Sequence, residues 1–159
     1  MKGIRAHKLL QWMIDQHDKE SHNKFIRPNF KSYTLVMSAG VRTGKYLSPE
    51  KKRTNFDIVM QTFEDLAKCD YGLKPGSISF RIMLTACKGL LPAGKEQQHH
   101  IRAIFEHCCR VGVVDELIYH TFCETADKET FELIVGLDKQ SWRDLPQEWR
   151  KKPKDLIEE

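Results

Sequence analysis

At 159 residues, with 40% apolar and 30% charged side chains, the chain has room for one ordinary domain or a handful of repeats, and its composition excludes a disordered polymer. Its longest apolar runs fall far short of the roughly 20 residues a membrane span needs, so a transmembrane segment is excluded and a soluble protein with no membrane partner is expected. A net charge of +4 permits a polyanionic partner without demanding one; Lys51-Lys52-Arg53 and Arg150-Lys151-Lys152 with Lys154 concentrate the positive charge.

In chain order, Ala6, Leu9, Leu10, Met13 and Ile14 fall at helical spacing and predict a helix over 4–18. After the polar stretch Asp18 to Lys24, Pro28-Asn29 signals a second start, with Tyr33, Val36, Met37, Gly40 and Val41 as the buried stripe and Gly44 as the stop. Thr43 to Arg53 reads as a loop from its Gly, Pro and charge content. A helix over 54–69 follows, with Phe56, Val59, Met60, Phe63, Leu66 and Ala67 on one face, and the stretch from Tyr71 to Pro75 closes that unit. The next helix, over 77–88, places Phe80, Met83, Leu84 and Cys87 on one stripe. A connector from Gly89 to Lys95 leads to a helix over 96–110, burying Ile101, Ile104, Phe105 and Cys108 and ending at Gly112. Asp115 is the expected N-cap of the following helix, with Ile118, Phe122 and Ala126 inside. A short helix over 128–137 and a tail with Trp142, Leu145, Pro146 and Trp149 complete the chain. No segment shows sustained period-two alternation, so the fold class is all-α, a series of antiparallel helix pairs.

One phrase is written twice. Arg27-Pro28-Asn29-Phe30-Lys31-Ser32-Tyr33-Thr34-Leu35-Val36-Met37 returns as Lys74-Pro75-Gly76-Ser77-Ile78-Ser79-Phe80-Arg81-Ile82-Met83-Leu84, and more weakly from Val114 to Phe122. Self-similarity over tens of residues is the mark of stacked repeats. The prolines are 47 residues apart, and Phe80 and Tyr119 are 39 apart; such differences are readily absorbed in loops. This pattern resembles pentatricopeptide repeats over roughly residues 4–126. The resemblance implies an α-solenoid of antiparallel helix-turn-helix units, tetratricopeptide-like, with about two and a half repeats over 1–126. A C-terminal capping helix and basic tail would occupy 127–159. No Trp-x-x-Leu-Gly-x-x-Tyr phrase of the tetratricopeptide type is present. So few repeats would be marginal alone, which implies a truncated product, the end of a longer array, or stabilisation by a partner.

What the resemblance implies for function is single-stranded RNA binding in a mitochondrion or plastid, serving transcript processing, stability or translation. Carried onto this chain, the base-facing residues are Thr34, Arg81 and His120, with Gly76 the partner of Thr34 and Asp115 the partner of Arg81. Ile78 and Leu117 fit the apolar position that sandwiches a base; Lys31 occupies the same position without fitting it. Thr34 with Gly76 matches half of the family's pairing, and Arg81 with Asp115 is more readily an ion pair or a phosphate contact. Lys31, Arg42, Arg81 and Lys88 could form a phosphate-tracking strip. The alternative is a protein–protein scaffold holding a peptide in its helical groove.

Catalysis, metal and cofactor are not expected. The adjacent pairs His99-His100 and Cys108-Cys109 diverge by about 100° on a helix and cannot easily share one ion. Gly40 to Lys45 lacks the two-glycine loop of a nucleotide-binding motif. Asp127, Asp138, Asp144 and Asp155 are too scattered to form a metal-dependent nuclease centre. The five cysteines (Cys69, Cys87, Cys108, Cys109 and Cys123) form an odd set without framework spacing, which points to a reducing compartment, and no secretory leader pattern is visible. Tyr33, Phe80 and Tyr119 belong to the core, and Trp142 and Trp149 are expected to cap the apolar edge or to anchor a partner.

Overall fold

The structure, a computed structural model, describes residues 2–19, 26–42, 46–69, 72–138 and 141–150. Among them it is all-α: α1 (Lys2–Lys19), α2 (Phe30–Arg42), α3 (Pro49–Lys68), α4 (Ser77–Leu90), α5 (Lys95–Val111), α6 (Glu116–Thr125) and α7 (Lys128–Ile134). Two 3₁₀ turns follow at Trp142–Asp144 and Gln147–Trp149. The β-pairing among these residues is one isolated bridge, Val114 with Arg150. The chain forms two compact units, one made of Met1–Pro75 with Gly89–Leu91, the other of Gly76–Lys88 with Pro92–Glu159.

In the first unit three helices pack with alternating direction. Gly3 at the start of α1 lies against Gly40 at the end of α2, while Leu10 shares a cluster with Tyr33, so α1 and α2 are antiparallel. Gly40 meets Val59, and Leu66 joins the Tyr33 cluster, so α2 and α3 are antiparallel as well. His7 with Thr62 (3.3 Å) and Gln11 with Asp65 (3.0 Å) then tie α1 and α3 in parallel. Close approach needs the glycines: a Cβ on Gly40 would stand 2.6 Å from Val59 Cγ2. The α1 stripe centres on Gly3, Leu10 and His17, so Leu9, expected inside, lies about 100° away and is 59% exposed. In α3 the buried line is Asn55-Phe56, Val59, Thr62-Phe63 and Leu66; Met60 is half-buried and Ala67 exposed, against expectation. Helix α3 also begins earlier than the charged stretch suggests. Pro49 takes its first turn, where a missing N–H costs nothing, so Pro49 to Arg53 are helical rather than loop. The expected stop at Gly44 lies outside the described residues.

The second unit repeats this alternation. Phe80 and His107 stack edge-on (5.1 Å between ring centroids, 83°) at one end, and Gln97 bonds the Cys87 carbonyl at the other, so α4 and α5 are antiparallel. Phe105 stacks on Phe122 (3.8 Å, 11°) and Gln98 Nε2 donates to the Thr125 carbonyl (3.4 Å), so α6 returns antiparallel to α5. Helix α4 runs past its expected end to Leu90 and stops ahead of Pro92, which has no N–H to continue it. Gly112, at φ 69°, turns α5 through the left-handed region, its N–H reaching the Cys108 and Cys109 carbonyls. Asp115 caps α6 as expected, whereas Ala126 is half-buried at the helix's C-cap rather than inside it. Helix α7 stops at Ile134, short of the expected 137, ahead of Gly136 at φ 85°. In the tail Leu145 is the buried residue and both tryptophans are half-buried; Val114 N–H donates to the Trp149 carbonyl (2.9 Å), pinning the tail to the α5–α6 turn.

Candidate nucleic-acid interface

The two hairpins share a detail that no apolar pattern foretells. Seven residues after the buried aromatic Tyr33, the Gly40 carbonyl accepts Asn55 Nδ2 (3.0 Å). Seven residues after the buried aromatic Phe80, the Cys87 carbonyl accepts Gln97 Nε2 (3.1 Å), which also reaches the Lys88 carbonyl (3.3 Å). Carbonyls in the last turn of a helix have no intrahelical donor. Each second helix therefore lends a buried amide to cap the C-terminus of the first. These amides fix the register of each hairpin, and with it the face each first helix turns outward.

On α2, in the first unit, Lys31 and Arg42 are exposed and Thr34 is half-buried. The Thr34 hydroxyl donates to its own helix, at the Phe30 (3.1 Å) and Lys31 (3.2 Å) carbonyls. On α4, burial of Ser79, Phe80, Met83, Leu84, Ala86, Cys87 and Leu90 leaves one accessible stripe, Ile78, Arg81, Ile82, Thr85 and Lys88. Gly76, half-buried, lies just before it, its carbonyl accepting the Phe80 N–H (3.2 Å). On α6, Leu117 and His120 are exposed, the imidazole 3.9 Å from Glu116. The second unit thus holds Gly76, Ile78, Arg81, Asp115, Leu117 and His120, whereas Lys31 and Thr34 stand in the first.

Two of the chosen polar groups serve the fold. Asp115 Oδ1 accepts the Ile118 N–H (2.8 Å), so this carboxylate neutralises the start of α6. Lys88 Nζ donates to the Glu124 carbonyl near the end of α6, which ties that side chain to α6 while its charge stays exposed. Arg81 has no carboxylate in ion-pair range among the described residues, and its guanidinium stays available to an anion. No protein-family model matches the chain, and the searches of curated proteins and of solved structures found no significant match.

Burial holds Cys87, Cys108, Cys109 and Cys123 in their neutral form. Burial pushes Cys87 and Cys109 up to about 12 and Cys108 well above its usual range. Cys123, exposed on α6, is also raised, chiefly by desolvation, while its neighbour Tyr119 is pushed to about 12 by burial and then by Cys123 itself. None of these is a ready thiolate at neutral pH. The His99 and His100 rings lie 6.0 Å apart and steeply inclined, and no three His, Cys, Asp or Glu side chains among the described residues converge on an ion position.

Proposed function

We propose that this chain is a segment of a pentatricopeptide-like α-solenoid that binds single-stranded RNA without catalysing a reaction, in organellar transcript processing, stability or translation. The observation that carries the reading is the matched amide cap, Asn55 to Gly40 and Gln97 to Cys87, seven residues beyond matched buried aromatics. Two hairpins built on one register, in a chain whose sequence repeats the same phrase, are what a repeat array requires. The accessible stripe of α4 then carries Arg81 beside Ile78, and α6 exposes Leu117 and His120. In this reading Arg81 engages phosphate and Ile78 and Leu117 lie against bases in the second unit, while in the first unit Lys31 and Arg42 offer phosphate contacts of their own on α2. Asp115 acts as a helix cap rather than as a base reader, so affinity for RNA exceeds discrimination among bases.

Fluorescence anisotropy with a labelled single-stranded RNA tests this. Each phosphate neutralised on a single strand contributes about 0.7 to the slope of log affinity against log salt. Arg81→Gln should lower that slope by about 0.7. An affinity independent of salt, or unchanged in Arg81→Gln, overturns the assignment.

A further inference from the structure

The outward face of α1 sets a run of exposed cations beside exposed apolar side chains. Elsewhere three exposed cations each have a carboxylate one turn on: Arg53 with Asp57 (3.4 Å), Arg102 with Glu106 (2.8 Å) and Lys128 with Glu132 (3.5 Å). On α1 the residue one turn beyond each of Lys2, Arg5 and Lys8 is Ala6, Leu9 and Trp12. Three exposed cations, rising about 4.5 Å each along one side of the helix, lead to an indole that is 52% exposed beside a Leu9 that is 59% exposed. Lys19 continues the row beyond Trp12, and Asp15 is the carboxylate at its edge. Arg5 and Trp12, seven residues apart, lie within about 20° of one another around the axis.

We infer that this face is a second contact for single-stranded RNA, in which a base stacks on Trp12 and successive phosphates lie along Lys8, Arg5 and Lys2. Charge decides the sign of the partner, because cations with no carboxylate partner among the described residues gain by releasing counterions from a polyanion. Size decides its kind. The exposed apolar surface of Leu9 and Trp12 is on the order of 200 Å², against about 800 Å² per partner in a stable protein interface. One indole with a leucine at its edge is a platform for one base. A second copy of this chain would set cation against cation. The inference rests on the RNA-binding reading, and it adds a site on the helix that precedes the first hairpin.

The test uses a fluorescent twelve-residue oligouridylate and the full chain, with Trp12→Ala, Trp12→Phe, Arg5→Gln/Lys8→Gln and Arg81→Gln. All four positions are exposed or half-buried, and circular dichroism checks that each variant is folded. Trp12→Ala is expected to weaken binding between about 5- and 100-fold, and Trp12→Phe to retain most of it. Arg5→Gln/Lys8→Gln is expected to lower the salt slope by about 1.4. The emission lost between the parent and Trp12→Phe should be quenched on adding RNA. If Trp12→Ala binds as the parent does while Arg81→Gln is weakened, the α1 site is overturned and the α4 reading stands. If Trp12→Ala is weakened and Arg81→Gln is not, the α1 site stands and the α4 reading falls. No binding by the parent refutes both. Quenching of Trp12 by phosphatidylglycerol vesicles but not by RNA replaces the nucleic acid with an anionic lipid surface and overturns the inference.

Discussion

Replacing Gln97 by methionine removes a donor while keeping side-chain length and volume. Gln97 is 7% exposed, and its amide donates to the carbonyls of Cys87 and Lys88. The helical partner of the Lys88 carbonyl would be the N–H of residue 92, which is proline and has none. In the methionine variant two carbonyls at the end of α4 lose this donor beneath an apolar side chain. An unsatisfied buried acceptor costs about 1–3 kcal/mol, whereas a length-conserving apolar swap by itself usually costs under about 1.5 kcal/mol. We therefore expect a loss near 2 kcal/mol, read as a lower urea midpoint at unchanged slope. Gln97→Glu should fare no better, since an ionised carboxylate accepts and cannot donate. A methionine variant within about 0.3 kcal/mol of the parent would show that the amide does not hold the hairpin, because a change that small is typical of surface positions away from such features.

The same logic extends to three other places. Gly40→Ala sets a Cβ 2.6 Å from Val59 Cγ2 and should cost about 1–3 kcal/mol by overpacking; adding Val59→Ala should relieve part of it, giving a non-additive double-mutant cycle in urea unfolding. Asp115→Ala should cost about 1 kcal/mol for loss of the α6 cap, whereas Asp115→Asn should be nearly neutral in stability and in RNA affinity. Burial, and then the charge of Arg110, hold the His107 pKa below its ordinary 6.5. The unfolded chain takes up the proton first, so stability is full above about pH 6.5 and falls as the pH drops toward the folded pKa. Urea midpoints at pH 7.5 and 5.5 should differ less in His107→Gln than in the parent.

The helices and their aromatic seams were legible because periodicity records burial directly. Tyr33, Phe80 and Tyr119, read as core, are 1%, 1% and 4% exposed. What failed were places where a polar residue does interior work or a pattern runs beyond the stripe. Asn55 and Gln97 were invisible because a buried amide has meaning only once the carbonyl opposite it is known. Ser48-Pro49-Glu50 looked like a loop because turn chemistry and helix-start chemistry use the same residues. Leu9 and Ala67 satisfy an apolar spacing yet stand at the edge of their stripes, where a shift of one residue turns a side chain by about 100°. Among the candidate site residues, sequence located Arg81, Leu117 and His120 on accessible faces. It showed Asp115 as the expected N-cap of α6, and could not reveal that Lys88 reaches across to the end of α6.

The central claim, that the outward faces of these helices bind single-stranded RNA through phosphate, is tested most directly by a salt titration of one complex. Binding of a labelled oligouridylate, followed by anisotropy from about 50 to 200 mM salt, should weaken along a straight log–log line. With Arg81 on one phosphate the slope should be at least about 0.7 in magnitude, and each further cation that takes up a phosphate should add about 0.7. A flat line, or no binding at micromolar protein and low salt, would contradict the account.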